Sequence, residues 1–214
     1  MDYHGVKIER LGHSGFKITA GLVVYIDPFH IQETEPADLL LLTHEHYDHL
    51  SIEDIRKILR PTTTILCTGD CLSKLTQFER NPLKVMKAGA SLEADGVTVE
   101  AVEAYNLNKF RAPGIPFHPQ EDEKLGYILT LKGVRIYHAG DTDVIPEMKK
   151  VRNIDVALLP VSGTYVMTPQ EAAEAVRILK PKLAIPMHYG AIVGSEKDAQ
   201  RFKSLVKGTP VEIL

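Results

Sequence analysis

Apolar runs of strand length recur along the chain and fall into two batches. In the first batch "GVKIERL", "GFKITA" and "LVVYIDP" are rich in Val, Ile and Tyr and are separated by Gly-containing turns, which predicts an antiparallel meander. "ADLLLLT" is a continuous apolar run typical of a strand buried on both faces, and "TTTILCT" is predicted to be the next strand. The second batch predicts strands at "VTVEAVEAY", "LGYILTL", "VRIYHAG", "DVALLPV" and "LAIPMH".

Helical patterns follow strands in both batches. "LSIEDIRKILRP" has apolar residues at helical spacing with Ser51 as its cap, "TPQEAAEAVRILKP" has Thr168 as its cap, and "SEKDAQRFKSLVKG" is predicted to run from Ser195 to Gly208. No long polar linker separates the two batches. We therefore expect a single domain over residues 1–214, built from two β-rich layers flanked by helices.

The composition restricts the function only coarsely. The 214-residue chain is 44% hydrophobic and 25% charged, with a formal net charge of −3, which is typical of a soluble globular protein and does not favour a nucleic-acid partner. No apolar run approaches the roughly 20 residues of a membrane span. The N-terminal residues lack the apolar core of a secretion signal, so we expect a cytoplasmic location. Cys67 and Cys71 form a lone CxxxC pair, which predicts neither a disulfide framework nor a zinc site.

Candidate chemistry is concentrated in "ADLLLLTHEHYDHLS", residues 37–51, where three of the nine histidines fall within six positions. A helical HExxH protease motif fails because position 48 is Asp. A polar surface turn would gain nothing from crowding imidazoles that repel one another when protonated. If instead the strand ends at this point, His44 and His46 point the same way, and Asp48 and His49 lie in the turn before the helix. That arrangement predicts two pairs of metal ligands at a strand end.

"THEHYDH" closely resembles the THxHxDH motif of the metallo-β-lactamase superfamily, and later histidine and aspartate motifs follow in that family's order. The resemblance implies an α/β fold, the four-layer αββα sandwich, and a site for two divalent metal ions. It implies that His44, His46 and His118 bind one ion, that Asp48, His49 and His188 bind the other, and that Asp141 bridges them. Imidazole with carboxylate favours Zn²⁺, although Mn²⁺, Fe²⁺ and Ni²⁺ accept the same ligands.

Further segments, "LGHSGFKI", "YIDPF" and "VSGTYVMTPQEA", resemble the UPF0173 metal-dependent hydrolases and the related L-ascorbate-6-phosphate lactonases. This resemblance places His13 at the rim of the site and lets Asp27 support a ligand imidazole, with a plain turn role as the alternative for each. It also places Tyr165 and Thr168 near the pocket.

Other positions have competing interpretations. His118 lies in the irregular stretch 106–124, which is predicted to be a lid or binding loop, and Asn106 is its competitor as a ligand. Asp70 also follows a Gly after a strand, but we interpret it as a helix cap. His138 is either an outer partner of the site or a buried structural histidine.

The implied chemistry is hydrolysis. Two cations about 3.5–4 Å apart share a water, zinc lowers its pKa to about 7, and the resulting hydroxide attacks the substrate. Asp48 is the predicted catalytic residue, which orients the hydroxide and carries its proton to the leaving group. We favour a small-molecule ester or lactone-type substrate.

Three alternatives remain open at this stage. The first is a phosphodiesterase or ribonuclease of the same superfamily, in which Lys109 and Arg111 could hold a phosphate. The second is a diiron protein that reduces oxygen or nitric oxide, and the third is a non-enzymatic metal-binding protein. We expect neither a membrane nor a nucleic-acid partner, and homo-oligomerisation is left open.

Overall fold

The structure, a computed structural model, describes residues 1–32, 34–94 and 96–214. Its first sheet has seven strands in chain order, which are β1 Asp2–Tyr3, β2 Val6–Gly12, β3 Gly15–Thr19, β4 Val23–Ile26, β5 Leu39–Leu41, β6 Thr64–Cys67 and β7 Leu83–Val85. Strands β2, β3 and β4 form the predicted antiparallel meander. From β4 to β7 the pairing is parallel.

The second half of the chain forms a short hairpin and a second sheet. The strands are β8 Ser91–Ala94, β9 Val97–Glu103, β10 Phe110–Ala112, β11 Ile115–Pro116, β12 Leu125–Leu131, β13 Val134–His138, β14 Val156–Pro160 and β15 Leu183–Met187. The six-stranded sheet has the order β15-β14-β13-β12-β9-β8, and β10 pairs with β11 in a separate two-stranded sheet. Strands β13, β14 and β15 are parallel, as expected for strands joined by helical or irregular crossovers.

Strand β5 is buried on both faces, as its apolar run predicts. Leu39 and Leu41 belong to the core between the two sheets, whereas Leu40 and Leu42 pack in a second core on the opposite face. The strand is shorter than predicted, because the backbone N–H of Thr43 donates to the carboxylate of Asp27 at 2.9 Å and not to a neighbouring strand.

The three predicted helices begin at their predicted caps, and the structure adds a further short helix, Leu72–Leu75. In chain order the helices are α1 Ile52–Ile58, α2 Leu72–Leu75, α3 Pro169–Leu179 and α4 Glu196–Leu205. Thr168 and Glu171 form a capping box at the start of α3, and the side chain of Ser51 accepts a hydrogen bond from the first turn of α1. Helix α4 ends at Leu205, three residues before the Gly208 that we predicted as its end.

The helices cover the outer faces of the two sheets. Ile55 and Ile58 of α1 pack on the first sheet, while α3 and α4 pack against β14 and β15 of the second. The layer order is therefore αββα, which confirms the predicted fold class. None of the helices within the described ranges has the length and apolar character needed to cross a bilayer.

The stretch 106–124 is more regular than predicted, because it contains the β10–β11 hairpin and a 3₁₀ turn at Gln120–Asp122. The backbone N–H of Asn106 donates to the carbonyl of His118 at 2.8 Å, which closes the base of the hairpin. Lys109 joins that base to the start of α3 through an ion pair of 2.9 Å with Glu171.

One edge of the double sheet collects the residues that follow several strand ends. Parallel strands present their carboxyl ends on the same side, and α/β proteins commonly build their sites there. Polar side chains lie within three positions of such strand ends. Among them are Asp27 after β4, Thr43 after β5, Asp141 after β13, Ser162 after β14 and His188 after β15.

Candidate metal centre

The predicted site residues come together at this edge of the double sheet. They form three overlapping groups in which one nitrogen or oxygen atom of each residue lies within 4.8 Å of the others. The groups are His44, His46 and His118; His13, Asp48, His49 and His188; and His44, His49 and Asp141. We call His44, His46 and His118 the first group, and His13, Asp48, His49 and His188 the second group.

In the first group, three imidazoles face one point. His46 Nδ1 lies 3.0 Å from His44 Nε2 and 3.3 Å from His118 Nε2. His46 therefore presents Nδ1, whereas the other two present Nε2. His44 and His118 are buried, and His46 is half-buried at the mouth of the site.

Asp141 lies between the two groups. Its Oδ2 is 3.4 Å from His118 Nε2 and 3.2 Å from His188 Nε2, and its Oδ1 is 3.3 Å from His49 Nε2. Gly140 makes this approach possible, because its φ is +65° and a Cβ there would meet the carbonyl oxygen of Leu125 at 2.4 Å.

In the second group, a carboxylate joins two imidazoles. Asp48 Oδ2 lies 3.5 Å from His49 Nε2 and 3.0 Å from His13 Nε2. His188 has a left-handed backbone with φ of +57°, and its N–H donates to the carbonyl of His13 at 2.9 Å. The turn that carries His13 is thus part of the wall that holds His188.

A buried carboxylate, Asp27, orients one histidine of each group. His49 Nδ1 donates to Asp27 Oδ2 at 2.7 Å. Thr43 Oγ1 donates to the same oxygen at 2.6 Å and accepts from His44 Nδ1 at 3.0 Å. Both imidazoles therefore carry the proton on Nδ1 and turn the lone pair of Nε2 towards the cluster, as metal-binding histidines do.

The other two Nε2-facing histidines have outer partners as well. His118 Nδ1 donates to Asn106 Oδ1 at 2.9 Å, and His188 Nδ1 donates to Ser162 Oγ at 3.0 Å. Asn106 is thus a partner of His118 and does not compete with it. Sequence analysis assigned no role to Thr43 or Ser162. Thr43 opens the "THEHYDH" motif, and the signal for Ser162 was its position just after a strand end.

Burial and neighbouring charges keep three of the donors, His44, His118 and Asp141, in the forms that bind cations. Burial lowers the pKa of His44 well below its usual value and that of His118 to about 4, so both are neutral near pH 7. Burial opposes ionisation of Asp141, but His188 and His49 outweigh it and hold the pKa of that carboxyl well below its ordinary range.

A divalent ion fits this donor set. His49 Nε2, Asp141 Oδ1 and His188 Nε2 are buried and have no hydrogen-bond partner within the described ranges. Unpaired buried polar atoms are costly, and these three converge on the same cluster. Neutral imidazole lone pairs together with ionised carboxylate oxygens are the ligands that zinc and similar cations take.

Two expectations about nearby residues were wrong. His13 is not at the rim, because it is 1% exposed and contacts Asp48 directly. Asp70 is not a helix cap; it lies inside the 3₁₀ turn Gly69–Cys71, where its carboxylate accepts from the hydroxyl of Thr68 and lies 3.4 Å from Lys124 Nζ.

Of the two interpretations of His138, the structural one holds. Its Nδ1 accepts from the N–H of Gly140 at 3.2 Å and its Nε2 donates to the carbonyl of Ser14 at 2.9 Å. Tyr165 is connected to the cluster through Asn106, the partner of His118. The carbonyl of Tyr165 accepts from Asn106 Nδ2 at 2.9 Å, and its ring packs on Phe117.

Comparison with known proteins agrees with this geometry. The family model described as "Beta-lactamase superfamily domain" matches residues 7–188. A UPF0173 metal-dependent hydrolase of Thermococcus kodakarensis is 35% identical over 98% of this chain and 95% of its own, and one from Thermococcus onnurineus is 34% identical over the same shares.

Solved structures show the same fold. A protein from Parabacteroides distasonis, described as a metal-dependent hydrolase, superposes with a TM-score of 0.83 at 35% identity, covering 97% of this chain and 92% of its own. A metallo hydrolase from the archaeon Ignicoccus hospitalis superposes with a TM-score of 0.78 at 25% identity, covering 98% and 94%.

The fold and the donor cluster thus define a hydrolase of the metallo-β-lactamase superfamily. More narrowly, the chain belongs to the UPF0173 metal-dependent hydrolases of that superfamily. The family, fold and enzyme class predicted from the sequence are confirmed at this level.

Proposed function

We propose that this enzyme holds two metal ions and hydrolyses an ester- or lactone-type bond of a small molecule. The observation that carries the proposal is the position of Asp141, whose two oxygens lie 3.2–3.4 Å from histidines of both groups. One carboxylate placed in that way can bridge a pair of cations.

The proposed ligands are the first group, the second group without His13, and Asp141. His44, His46 and His118 would hold the first ion, Asp48, His49 and His188 the second, and Asp141 both. The mixture of imidazole and carboxylate favours Zn²⁺, and Mn²⁺, Fe²⁺ or Ni²⁺ accept the same donors. When bound, such a pair of ions lowers the pKa of a bound water to about 7 and stabilises negative charge on the reacting oxygen.

Asp48 is the proposed catalytic residue. Burial alone would raise the pKa of its carboxyl, but the hydrogen bond from His13 and the charge of His49 lower it to about 2. The carboxylate is therefore ionised at neutral pH and can orient the attacking water by accepting its hydrogen bond. It carries a proton to the leaving group only transiently, because so low a pKa favours the ionised form.

Exposed apolar side chains on the segments that bear the site support an organic substrate. Tyr47 stands between His46 and Asp48 and is 63% exposed. Leu107, Phe110 and Ile115 are exposed on the hairpin segment that leads to His118. These side chains can contact the non-polar part of a small substrate, which polar donors alone would not retain.

The test is a hydrolysis screen of metal-loaded protein against lactones, carboxylic esters, thioesters, β-lactams and phosphodiesters. We expect turnover of a lactone or ester, with a loss of more than about 100-fold in His46→Ala because a ligand is removed. His4→Ala, at an exposed histidine outside the cluster, is the matched control. Full activity in His46→Ala would contradict the two-metal proposal, and turnover of phosphodiesters alone would favour the phosphodiesterase alternative.

A further inference from the structure

We infer that His13 is a positioning residue that donates a hydrogen bond from Nε2 to Asp48 Oδ2, and that it is not a metal ligand. The inference rests on the proposed metal centre, in which Asp48 is both ligand and catalytic group. His13 Nε2 lies 3.0 Å from Asp48 Oδ2, and its ring centroid is 4.1 Å from that of His188. Proximity alone would therefore allow either role.

The outer nitrogens of the histidines separate the two roles. Every histidine that turns Nε2 towards the cluster as a proposed ligand has a hydrogen-bond acceptor for its Nδ1–H; the pairs are His44 with Thr43, His49 with Asp27, His118 with Asn106, and His188 with Ser162. His13 differs, because its Nδ1 is buried and has no partner within the described part of the chain.

This difference determines the tautomer of His13. An imidazole that binds a metal through Nε2 carries its proton on Nδ1, so a ligating His13 would bury an N–H group without an acceptor. The lone pair of its Nε2 would also face the ionised oxygen of Asp48. With the proton on Nε2, the same contact becomes a charge-assisted hydrogen bond, and only a lone pair is left without a partner.

The backbone around His13 holds the ring in that place. His13 has φ of +46°, which costs energy in a non-glycine residue and persists where surrounding contacts enforce it. Its carbonyl accepts from the N–H of His188, and the carbonyl of Ser14 accepts from His138 Nε2 at 2.9 Å. A Cβ at Gly15 would lie 2.9 Å from the carbonyl oxygen of Asp27, so the turn is packed against the β4 end.

The consequence is a fixed carboxylate. Asp48 lies in the turn between His46 and His49, and its side chain is 14% exposed. With Oδ2 held by His13, rotation about the Cβ–Cγ bond is restricted, and the carboxylate is preorganised towards the proposed position of the second ion. Partners of this kind change metal affinity by about 10–100-fold when removed.

The experiment compares His13→Gln and His13→Ala with wild type, with His4→Gln as the matched control. A glutamine keeps an N–H donor at similar reach but is a poor zinc ligand. Zinc stoichiometry and affinity are measured at defined free zinc, and the ligand set is followed in the absorption spectrum of the Co²⁺-loaded protein. We expect His13→Ala to weaken the second ion by about 10–100-fold, and His13→Gln to keep both equivalents and the wild-type Co²⁺ spectrum.

A loss in His13→Gln as large as in His13→Ala, with a changed Co²⁺ spectrum, would make His13 a ligand and overturn the inference. Unchanged affinity in His13→Ala would also overturn it. Because His13→Ala could fail to fold, the tautomer is measured independently in ¹⁵N-histidine-labelled wild type. The expected signal has a protonated Nε2 and a bare Nδ1, and a protonated Nδ1 refutes the inference.

These readouts are independent of turnover. If the wild type binds two ions but hydrolyses nothing in the screen, the proposed substrate class fails while the inference about His13 is still decided. If the wild type binds fewer than two equivalents, the proposed centre itself fails, and the inference fails with it before any variant is examined.

Discussion

The two groups of the centre contain similar donors but are held differently. In the second group, His49 and His188 are buried and have outer partners in Asp27 and Ser162. In the first group, His44 and His118 have outer partners as well, but half-buried His46 has none for Nε2 within the described ranges, and His118 belongs to the segment that carries the hairpin. Outer partners fix ligand orientation and raise affinity. We therefore expect the second group to bind its ion more tightly and the first group to face the substrate.

The largest effect is expected at Asp141, which lies between the two groups. Asp141→Asn removes the only carboxylate that contacts histidines of both groups among the described residues, so both ions should be weakened together. We expect turnover to fall by about 10³-fold or more, since metal assistance contributes several kcal/mol. Metal content by mass spectrometry and activity are the measurements. Asp70→Asn, at the other Gly-Asp after a strand, is the control, and two retained equivalents in Asp141→Asn would refute the bridging role.

A smaller and selective effect is expected from the loop-borne ligand. His118→Ala should lose the first-group ion while one equivalent remains in the second group, with turnover reduced by about 100-fold. Occupancy of each position is measured by anomalous scattering from crystals of the variant, with His4→Ala as the control. Equal loss of both ions, or unchanged occupancy, would show that the groups are not independent.

A reciprocal pair of variants sharpens the comparison. Asn106 orients His118 of the first group, and Ser162 orients His188 of the second. Asn106→Ala should weaken the first ion and Ser162→Ala the second, each by about 10-fold, the low end for loss of an outer partner. Zinc competition titrations measure both affinities, and Ser204→Ala on the exposed face of α4 is the control. Identical profiles for the two variants would contradict the division into groups.

The smallest effect concerns the base of the hairpin and has a pH dependence. Burial opposes ionisation of Glu171, but the backbone N–H of Thr168 and the ammonium of Lys109 lower its pKa from 4.5 to about 2. Because the folded-state pKa is depressed, this stability is present above about pH 4.5 and is lost as the pH falls towards 2.

Glu171→Gln should therefore be less stable than the wild type by about 1–2 kcal/mol at pH 7, with the difference shrinking below pH 4.5. Urea unfolding of the metal-free proteins between pH 3 and 7 measures this. Glu174→Gln, at an exposed position of the same helix, is the control. A difference that stays constant down to pH 3 would show that the charge of Glu171 does not stabilise the fold.

Local patterns determined much of the fold. The continuous apolar run of "ADLLLLT" predicted a strand with two buried faces, and Ser51, Thr168 and Ser195 predicted the helix starts, because strand burial and helix capping both leave local patterns of a few residues. Strands β1, β7 and β8, helix α2 and the β10–β11 hairpin were missed. They are short and partly exposed, and the pairing of the strands depends on neighbours that a local pattern does not describe.

The sequence by itself determined the donor types, the spacing of His44, His46, Asp48 and His49, and the family to which the motif belongs. The tertiary structure decided which atoms face one another. Asp27 reaches His49 from 22 residues away, Ser162 reaches His188 from 26, and His13 reaches Asp48 from 35. These contacts depend on the register and stacking of two sheets, so only the folded chain separates the histidines that we propose as metal ligands from His13, which we propose as a hydrogen-bond donor to Asp48.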